Sequence, residues 1–564
     1  MKKNLSIVIL LISLAISQSV FSQTYSFEKG KVPEGWKIDK GVLHISSEKY
    51  KSGSRSLQIK WKQNAVLTIP SPTGISEACR NRNGGMNAWI YNESPTKENL
   101  LFSFRDETGK EVCQLPFLLD FKGWRCIWAK FQGDMNMSSK SNIQSVEIQF
   151  PQHTKKGVTY IDLLEFTSKV SWQNMSDAQY KVNRTDYSLI PDFIGYRNAT
   201  PKVEKVITAE DNQITTITDR LTTWYLGSGQ HSSERWIKMR TENEKTFIRN
   251  GVKAAQKIKI QYTEDHTPQG EPLFPMGAPT IIDGQEAKKF RSINENILLP
   301  LALDYRKNQN DQSLKKALYI YDWFNDQGWA DGSSMGTLCF EKLRSSGYFH
   351  SFFLLKEQLS PEQLKRELQT MNWFTMFGAC YQLPSHAGEV ADNLRALAIP
   401  KLIYALSQND KQEREVALTA FKHYMDNALG IAPGFFGTFK ADFSGYHHRG
   451  PYHSAYYPHA LYAGALIAYL LHDTPYALSE TTLHNLKQGL LTFRFFCAGL
   501  EVPAGTVGRF PKGQQILETL LPAFAYTALS FKEPDKELCA QFNDETDDGR
   551  KMGKYSDLLG DAIA

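Results

Sequence analysis

The sequence has few cysteines, no metal-binding motif and no concentrated run of basic residues, and each absence argues against a class of protein. Its seven cysteines lie apart, without a CxxC pair or Cys/His ligand spacing, which argues against a disulfide framework or a zinc site. Only Cys113 and Cys126 are placed for a local bridge. No HExxH motif is present, so a metal-dependent enzyme is not indicated. The net charge is only +5 and the basic residues are dispersed, unlike those of a nucleic-acid-binding protein.

Long apolar runs are missing after the first residues of the chain. Residues 1–22 begin with two lysines, continue with an apolar run from Leu5 to Ile16 and end in small residues, the order of a secretory signal peptide. We therefore expect cleavage near Ser22/Gln23 and a secreted or periplasmic protein. No later stretch approaches the roughly 20 apolar residues that span a bilayer.

Short alternating runs follow the signal segment. Between Tyr25 and Thr167 they include VLHISS, SLQIKW, NAWIYN and CIWAKFQ, separated by turn residues. Alternation with period two predicts an antiparallel β-sandwich, which we place at residues 23–170. The chain is also rich in aromatic residues, 12% of the total, which are suited to flat ligand faces such as sugar rings.

The pattern changes in the second half of the chain. Residues 171–204 mix Asn, Ser, Pro and Asp and are typical of a linker. Residues 205–531 carry apolar residues at helical spacing in about ten successive segments, which predicts an all-α domain of paired helices, an α/α toroid. Residues 532–564 form a polar tail. The unusual chemistry falls in the loops between helices, as expected of a loop-built site on a helical scaffold.

One stretch concentrates proton-transfer groups. Residues 442–471 read DFSGYHHRGPYHSAYYPHALYAGALIAYLL, a loop leading into an apolar helix. Histidine titrates near neutral pH, and a tyrosine beside cations is driven toward phenolate, so this density predicts a catalytic site. The alternative is an aromatic helix start whose histidines are surface or core fillers.

This stretch resembles a known family, the polysaccharide lyases that include chondroitin AC and ABC lyases and hyaluronate lyase, and particularly the ABC lyases. The similarity also includes AGTVGRFPKG downstream, and the segment beginning FEKGKVPEGW resembles jelly-roll modules appended to secreted carbohydrate enzymes. The resemblance implies that Tyr456 is the catalytic tyrosine and Arg509 the catalytic arginine. It implies His448 as the catalytic histidine, with His447 as the alternative.

The resemblance also implies a reaction. It is β-elimination at a uronic acid of a glycosaminoglycan such as chondroitin sulfate, dermatan sulfate or hyaluronan, with Tyr456 as general base and acid. His448 is then a base or an orienting partner, and Arg509 holds Tyr456 and the substrate. We expect a monomer without a required cofactor, and an accessory Ca²⁺ or Mg²⁺ in the sandwich stays open.

A carboxylate beside the acidic C5 proton must be neutralised for this chemistry. The family uses an Asn or His from an earlier loop, and four residues compete for that role: Asn393, His386, His350 and Arg344. Candidate substrate-binding residues are Trp323, Trp329, Trp373, Arg449 and His453. Each Trp is equally suited to core packing.

Three alternatives to an active lyase remain at this point. Family members of this type continue into β domains that supply a further catalytic Glu, so the chain is either a short active form, a truncated inactive homologue or a non-catalytic glycan-binding protein. A glycoside hydrolase on an α-toroid would need two opposed carboxyl groups, for which Glu341, Glu389 and Asp392 are available without a paired motif.

Overall fold

The computed structural model divides into two units. It describes residues 24–171, 176–181, 189–230, 235–262, 267–270, 273, 290–335, 344–453, 456–499, 501–508 and 517–546. The first unit comprises residues 1–190, 262–286 and 324–338, and the second comprises 191–261, 287–323 and 339–564. The predicted signal segment lies outside the described residues.

The first unit contains two five-stranded antiparallel sheets. In chain order residues 24–171 contain β1 Lys37–Ile38, β2 Gly41–Ser46, β3 Ser56–Lys62, β4 Val66–Pro70, the short helix α1 Ile75–Arg80, β5 Gly85–Asn92, β6 Asn99–Arg105, β7 Glu111–Leu118, β8 Gly123–Lys130, β9 Ser145–Gln149 and β10 Lys156–Thr167. One sheet has the order β1-β4-β9-β6-β7 and the other β2-β3-β10-β5-β8. Buried apolar side chains from both sheets form one core. The predicted β-sandwich is therefore confirmed.

A later segment of the chain packs on the sandwich. Within residues 324–335, Asp326 accepts hydrogen bonds from Lys49 Nζ at 3.0 Å and from the Tyr91 hydroxyl at 2.6 Å. Lys51 Nζ donates to the Gln327 carbonyl at 2.8 Å, and the Arg125 guanidinium donates to the Asp331 carbonyl at 3.0 Å. Tyr91 and Arg125 of the second sheet, and Lys49 and Lys51 of the loop between β2 and β3, are thus bonded to the chain itself. The sequence analysis placed this segment in the helical domain, within residues 205–531. That placement differs from the structure because the sequence of a loop does not indicate which unit the loop packs on.

The cysteines form no bridge among the described residues. Cys113 lies on β7 and Cys126 on β8, strands of different sheets. Cys126 Sγ instead donates to the buried carboxylate of Asp177 at 3.2 Å, so the local bridge that the sequence allowed between these cysteines is not formed. All six described cysteines are free.

The second unit is built from helices. The remaining elements of the chain in order are α2 Leu189–Arg197, α3 Asp211–Leu226, α4 Arg235–Ala255, β11 Ile260–Tyr262, β12 Pro268–Gly270, a π-helical turn Asn294–Leu298, α5 Leu299–Asn308, α6 Asp311–Asp326, α7 Ser346–Leu355, a 3₁₀ turn Lys356–Gln358, α8 Pro361–Thr375, a 3₁₀ turn Phe377–Cys380, α9 Ala391–Leu406, α10 Lys411–Ala428, β13 Tyr446–His447, β14 Gly450–Pro451, α11 Tyr457–Leu471, α12 Glu480–Phe496, a 3₁₀ turn Ala504–Thr506, α13 Leu517–Leu529 and α14 Lys536–Thr546. The predicted helical character of residues 205–531 is confirmed, although this range also contains the short strands β11 to β14.

Several helices begin where the sequence provides a cap. Ser360 accepts a hydrogen bond from the Gln363 amide, the Gln363 side chain returns to the Ser360 amide, and Pro361 occupies the first turn of α8. Asp410 caps α10 and Ser479 caps α12 in the same way, through side-chain oxygens that accept backbone N–H groups. Local chemistry therefore fixes these boundaries.

Three features differ from the sequence pattern. The expected linker contains α2, and the expected polar tail contains α14, which packs against α13. The segment FIRNGVKAAQKIKIQYT divides between α4 and β11, because its β-branched end leaves the helix after Ala255. In the described ranges no helix combines the length and apolar character needed to cross a membrane.

Candidate active site

The His/Tyr-rich stretch folds as a tight hairpin. His447 on β13 pairs with Gly450 on β14, and His448 and Arg449 form the two-residue connection. Both connecting residues have positive φ, 49° and 67°. Two-residue hairpins with positive φ at both positions favour Asn-Gly, and holding other residues there costs on the order of 1 kcal/mol each. Strain of this kind clusters at functional sites.

The hairpin is fixed against the start of α11. The Gly445 amide donates to His453 Nε2 at 3.3 Å, and the Tyr457 hydroxyl donates to the Phe443 carbonyl at 2.7 Å. A Cβ at Gly445 would lie 1.8 Å from the Tyr457 ring, so only glycine permits this close approach. The backbone around the two histidines is therefore held rigidly.

Tyr456 lies at the centre of a ring cluster. It immediately precedes α11, and its ring stacks on His447 with centroids 3.9 Å apart and planes inclined by 23°. The His448 ring lies edge-on at 5.7 Å, and the Tyr452 ring lies at 5.2 Å. Tyr456 is 9% exposed, whereas His448 is exposed to solvent. The structure thus brings together Tyr456 and both histidines that the sequence suggested.

The first turn of α9 supplies an ion pair to this cluster. Asp392 Oδ2 lies 3.5 Å from His447 Nε2, which has no hydrogen-bond partner among the described residues. Arg395 Nε donates to Asp392 Oδ1 at 2.8 Å, and the Arg395 guanidinium lies 5.9 Å from the centre of the Tyr456 ring. Burial would raise the pKa of Asp392, but His447 and Arg395 outweigh it and hold the pKa at about 2.

Sequence reasoning missed this pair. Arg395 was not considered, and Asp392 was considered only as a hydrolase acid. The available signal was the spacing of three residues at a helix start, which places both side chains on one helix face. Such pairs are common on helix surfaces. This one is of functional interest only because α9 packs beside the hairpin that carries His447.

A protein-family model described as "Lyase, catalytic" matches residues 200–544, and one described as "Lyase, N terminal" matches residues 21–182. Over 92% of its length the chain is 26% identical to the chondroitin sulfate ABC exolyase of Bacteroides thetaiotaomicron, of which it covers 52%. The chain belongs to the chondroitin AC/ABC lyase family. This lyase chain is also 24% identical to the chondroitin sulfate ABC endolyase of Proteus vulgaris, over 92% of this chain and 54% of that relative.

A xanthan lyase of Paenibacillus superposes with a TM-score of 0.48 at 12% identity, over 62% of this chain and 32% of that chain. The lyase chain spans about half the length of the curated relatives it matches.

Two candidates for the neutralising residue lie near α9 of the lyase catalytic region. Asn393 follows Asp392 directly, and its amide donates to Glu389 Oε1 at 3.2 Å. Glu389 Oε2 accepts from the Tyr424 hydroxyl at 2.9 Å. His386, in the loop before α9, stacks on Phe436 with centroids 5.2 Å apart. Asn393 therefore shares the first turn of α9 with the ion pair beside Tyr456.

The other two candidates lie on different elements of the lyase. His350 on α7 is half-buried, and its Nδ1 shares a hydrogen bond with the Tyr225 hydroxyl of α3. Burial lowers the pKa of His350 to about 4. The Arg344 carbonyl accepts a hydrogen bond from the Asn294 amide at 2.9 Å, just before α7.

The candidate substrate-binding residues divide by exposure. Trp323, Trp329 and Trp373 are 1%, 0% and 2% exposed, and His453 is 2% exposed. Stacking on a sugar requires an open ring face, so this burial argues against that expectation, and the tryptophans act as core residues. Arg449 is exposed beside His448. Arg509 and Glu341 lie outside the described residues.

An exposed aromatic pair was also missed. Phe435 and Phe436 are 68% and 65% exposed, between Gly434 and Gly437, which both have positive φ. Phe436 stacks on His386, as described above. The sequence signal was the run GFFG, whose glycines indicate a loop in which apolar rings are not buried.

The accessory Ca²⁺ or Mg²⁺ that the sequence left open can be compared with the side chains that the structure describes. Those side chains include no group of three or more His, Cys, Asp or Glu arranged to hold a metal ion.

Proposed function

We propose that this protein cleaves uronic-acid-containing glycosaminoglycans by β-elimination, with chondroitin sulfate, dermatan sulfate and hyaluronan as candidate substrates. The observation that carries the proposal is the packing of Tyr456 against His447 with Arg395 beside its ring. The names of the two chondroitin sulfate ABC lyase relatives support the substrate class.

Tyr456 is the proton-transfer residue in this reaction. Its phenolate takes the proton from C5 of the uronate, the C5 electron pair forms the C4=C5 bond, and the C4–O bond breaks. The phenol then returns that proton to the departing glycosidic oxygen, so that no water is consumed. The Arg395 guanidinium, 5.9 Å from the centre of the Tyr456 ring, is suited to stabilising the charge that develops on this side chain during proton transfer.

We assign different roles to the two histidines. His447 stacks face to face on Tyr456, so it orients the tyrosine ring and connects it to Asp392. His448 is exposed and edge-on to the ring, so it is the imidazole that can reach the substrate. Arg509 keeps the substrate-holding role implied by the family resemblance.

Asn393 is the proposed partner of the substrate carboxylate. Loss of the C5 proton is difficult while the carboxylate keeps its full charge, so a hydrogen-bond donor aimed at that group lowers the barrier. Asn393 lies in the same helical turn as Asp392 and Arg395, and its amide, which donates to Glu389 Oε1 here, would turn to the substrate carboxylate. His350 lies on α7, outside this turn, and is hydrogen-bonded to the Tyr225 hydroxyl.

The alternative function, a glycoside hydrolase, is disfavoured by the ionisation of Asp392 and by the hydrogen bonds of Glu389. A glycosidase needs one carboxylic acid that donates a proton. With its pKa held at about 2 by His447 and Arg395 against the effect of burial, Asp392 is ionised at neutral pH. Glu389 is engaged by Tyr424 and by the backbone amide of Val390.

We also propose that residues 1–22 are removed as a signal peptide and that the mature chain acts outside the cytoplasm as a monomer. The amino-terminal charge and apolar pattern support the first point. Amino-terminal sequencing of the exported protein would test it, with a first residue at or near Gln23 as the expected result.

The experiment that tests the activity is ultraviolet absorbance during incubation with each of the three polymers. A rising signal from the unsaturated uronate is expected, and Tyr456→Phe should abolish it. Tyr446→Phe, a change of the same type on the same hairpin, should leave it in place. A flat trace from the folded wild-type protein on all three polymers would overturn the proposal.

A further inference from the structure

A groove of about 490 Å³ lies between α4 and α5 of the helical unit, on elements that carry none of the catalytic candidates. Gly251 of α4 permits the close approach that forms it, since a Cβ there would lie 2.2 Å from the Pro300 side chain of α5. The groove wall is therefore set by direct packing of two helices.

Three cations follow one edge of this groove. Lys245, Arg249 and Lys253 are spaced four residues apart on α4 and are all exposed. At a rise of about 1.5 Å per residue, the row extends over roughly 12 Å along one helix face. Lys245 pairs with Glu242 at 2.8 Å, but both side chains are about 70% exposed, so water screens the pair. No described carboxylate pairs with Arg249 or Lys253.

The acidic side chains of the groove are already engaged. Buried Glu244 forms an ion pair with Lys307 of α5. Asp304 accepts hydrogen bonds from the Asn308 and Asn310 amides, each at 2.7 Å, and from the Ser313 hydroxyl. The carboxylates of the groove are therefore bonded within the protein, and the positive charge of Lys245, Arg249 and Lys253 is what a ligand would meet.

We propose that this groove is a second binding site for acidic polysaccharide, separate from the Tyr456 cluster. The proposal rests on the proposed function, since it takes the same polymer as its ligand. Evenly spaced cations on one helix face suit a chain that carries anionic groups at a regular repeat. The side-chain amides of Gln256 and Asn308, which also line the groove, offer hydrogen bonds to sugar hydroxyls.

A second site of this kind acts by holding a long chain near the enzyme. Binding at two places on one polymer makes the second contact effectively intramolecular. The benefit is available only to a polymer that reaches both sites, so the groove should lower the KM for long chains and leave short oligosaccharides unaffected.

The test is the triple variant Lys245→Gln, Arg249→Gln and Lys253→Gln. Its control, Lys29→Gln, Lys31→Gln and Lys37→Gln, makes the same change in charge at exposed positions of the sandwich unit. The groove variant should raise the KM for chondroitin sulfate polymer roughly tenfold, with kcat and tetrasaccharide kinetics unchanged. Equal polymer KM values for wild type and groove variant, or an equal rise in the control, would overturn the proposal.

A binding measurement separates failure of the groove from failure of the proposed activity. Labelled chondroitin sulfate polymer is titrated at low salt into Tyr456→Phe protein, with and without the groove substitutions. Roughly tenfold weaker binding caused by the groove triple alone supports the site even if no polymer is cleaved. Unchanged affinity, or equal loss in the sandwich control, contradicts it.

Discussion

The ring of Tyr456 lies flat against the imidazole of His447, with centroids 3.9 Å apart. The two rings therefore contact each other through their faces. The contact is not a hydrogen bond between the Tyr456 hydroxyl and a His447 nitrogen. His447 therefore fixes where the phenol points, while the edges of the Tyr456 ring stay directed at other neighbours. The His448 ring, 5.7 Å away and edge-on, meets the same tyrosine from the solvent side.

These positions predict different effects of substituting the two histidines. His448→Gln removes the imidazole that can reach the substrate and should lower kcat about 10²-fold or more, the usual effect of losing one donor aimed at developing charge. His447→Phe keeps a stacking ring and should cost about tenfold through looser positioning. Steady-state kinetics on one polymer would compare them. The reverse order of effects would assign the chemical role to His447.

Arg395 is predicted to support catalysis through the Tyr456 ring. Arg395→Gln removes the cation 5.9 Å from the ring centre and should lower kcat about fivefold at neutral pH, the size of an exposed cation–π interaction. Arg395→Lys should recover most of the rate. KM should change little, because the residue acts on the tyrosine. An unchanged kcat in Arg395→Gln would show that the contact has no catalytic consequence.

Asp326 should be a large contributor to the stability of the sandwich unit. Its partner Lys49 is 8% exposed in the side chain and Asp326 itself 7%, so Asp326→Ala would leave a buried charge unpaired. We expect a loss of about 3–5 kcal/mol in urea unfolding of that unit. Glu147→Ala breaks the more exposed pair with Arg105 and should cost at most about 1 kcal/mol. Equal losses would contradict this account.

His453 should make the protein less stable in mild acid. Burial lowers the pKa of His453 from 6.5 to about 4, so between these values the unfolded chain binds a proton that the folded chain does not. Stability therefore falls as the pH drops from about 6.5 to about 4, by up to about 3 kcal/mol from this residue.

The variant that tests this effect is His453→Gln. It keeps an acceptor for the Gly445 amide without a titrating group, and should flatten the dependence of the melting temperature on pH in that window. The control is His44→Gln, at an exposed position of β2. A His453→Gln profile parallel to that of wild type would show that the acid sensitivity arises elsewhere.

The fold class could be predicted because its signals are local. Alternation in runs such as SLQIKW gave the strand Ser56–Lys62, and Ser360-Pro361 with Gln363 marks the start of α8. The concentration of His and Tyr also indicated the candidate site, because those residues lie on one hairpin and the segment that follows it.

The parts that could not be predicted depend on packing between distant segments. Asp392 and Arg395 lie more than fifty residues before the hairpin, and nothing in their own helix indicates that Tyr456 is their neighbour. Trp329 was a candidate for sugar stacking because it lies near the loops that carry the unusual chemistry, yet it is fully buried. Local sequence shows composition and periodicity. The neighbours of Asp392 and Arg395 and the burial of Trp329 depend instead on which distant segments pack together.

The most direct test of the central claim, elimination at a uronate, is the mass of the products formed from a defined chondroitin oligosaccharide in water enriched in heavy oxygen. Elimination adds no water, so the masses of the two products should sum to the mass of the parent, with no label incorporated and one product carrying a 4,5-unsaturated uronate. Products that together exceed the parent by one water, with the label at the new reducing end, would contradict the account and establish hydrolysis.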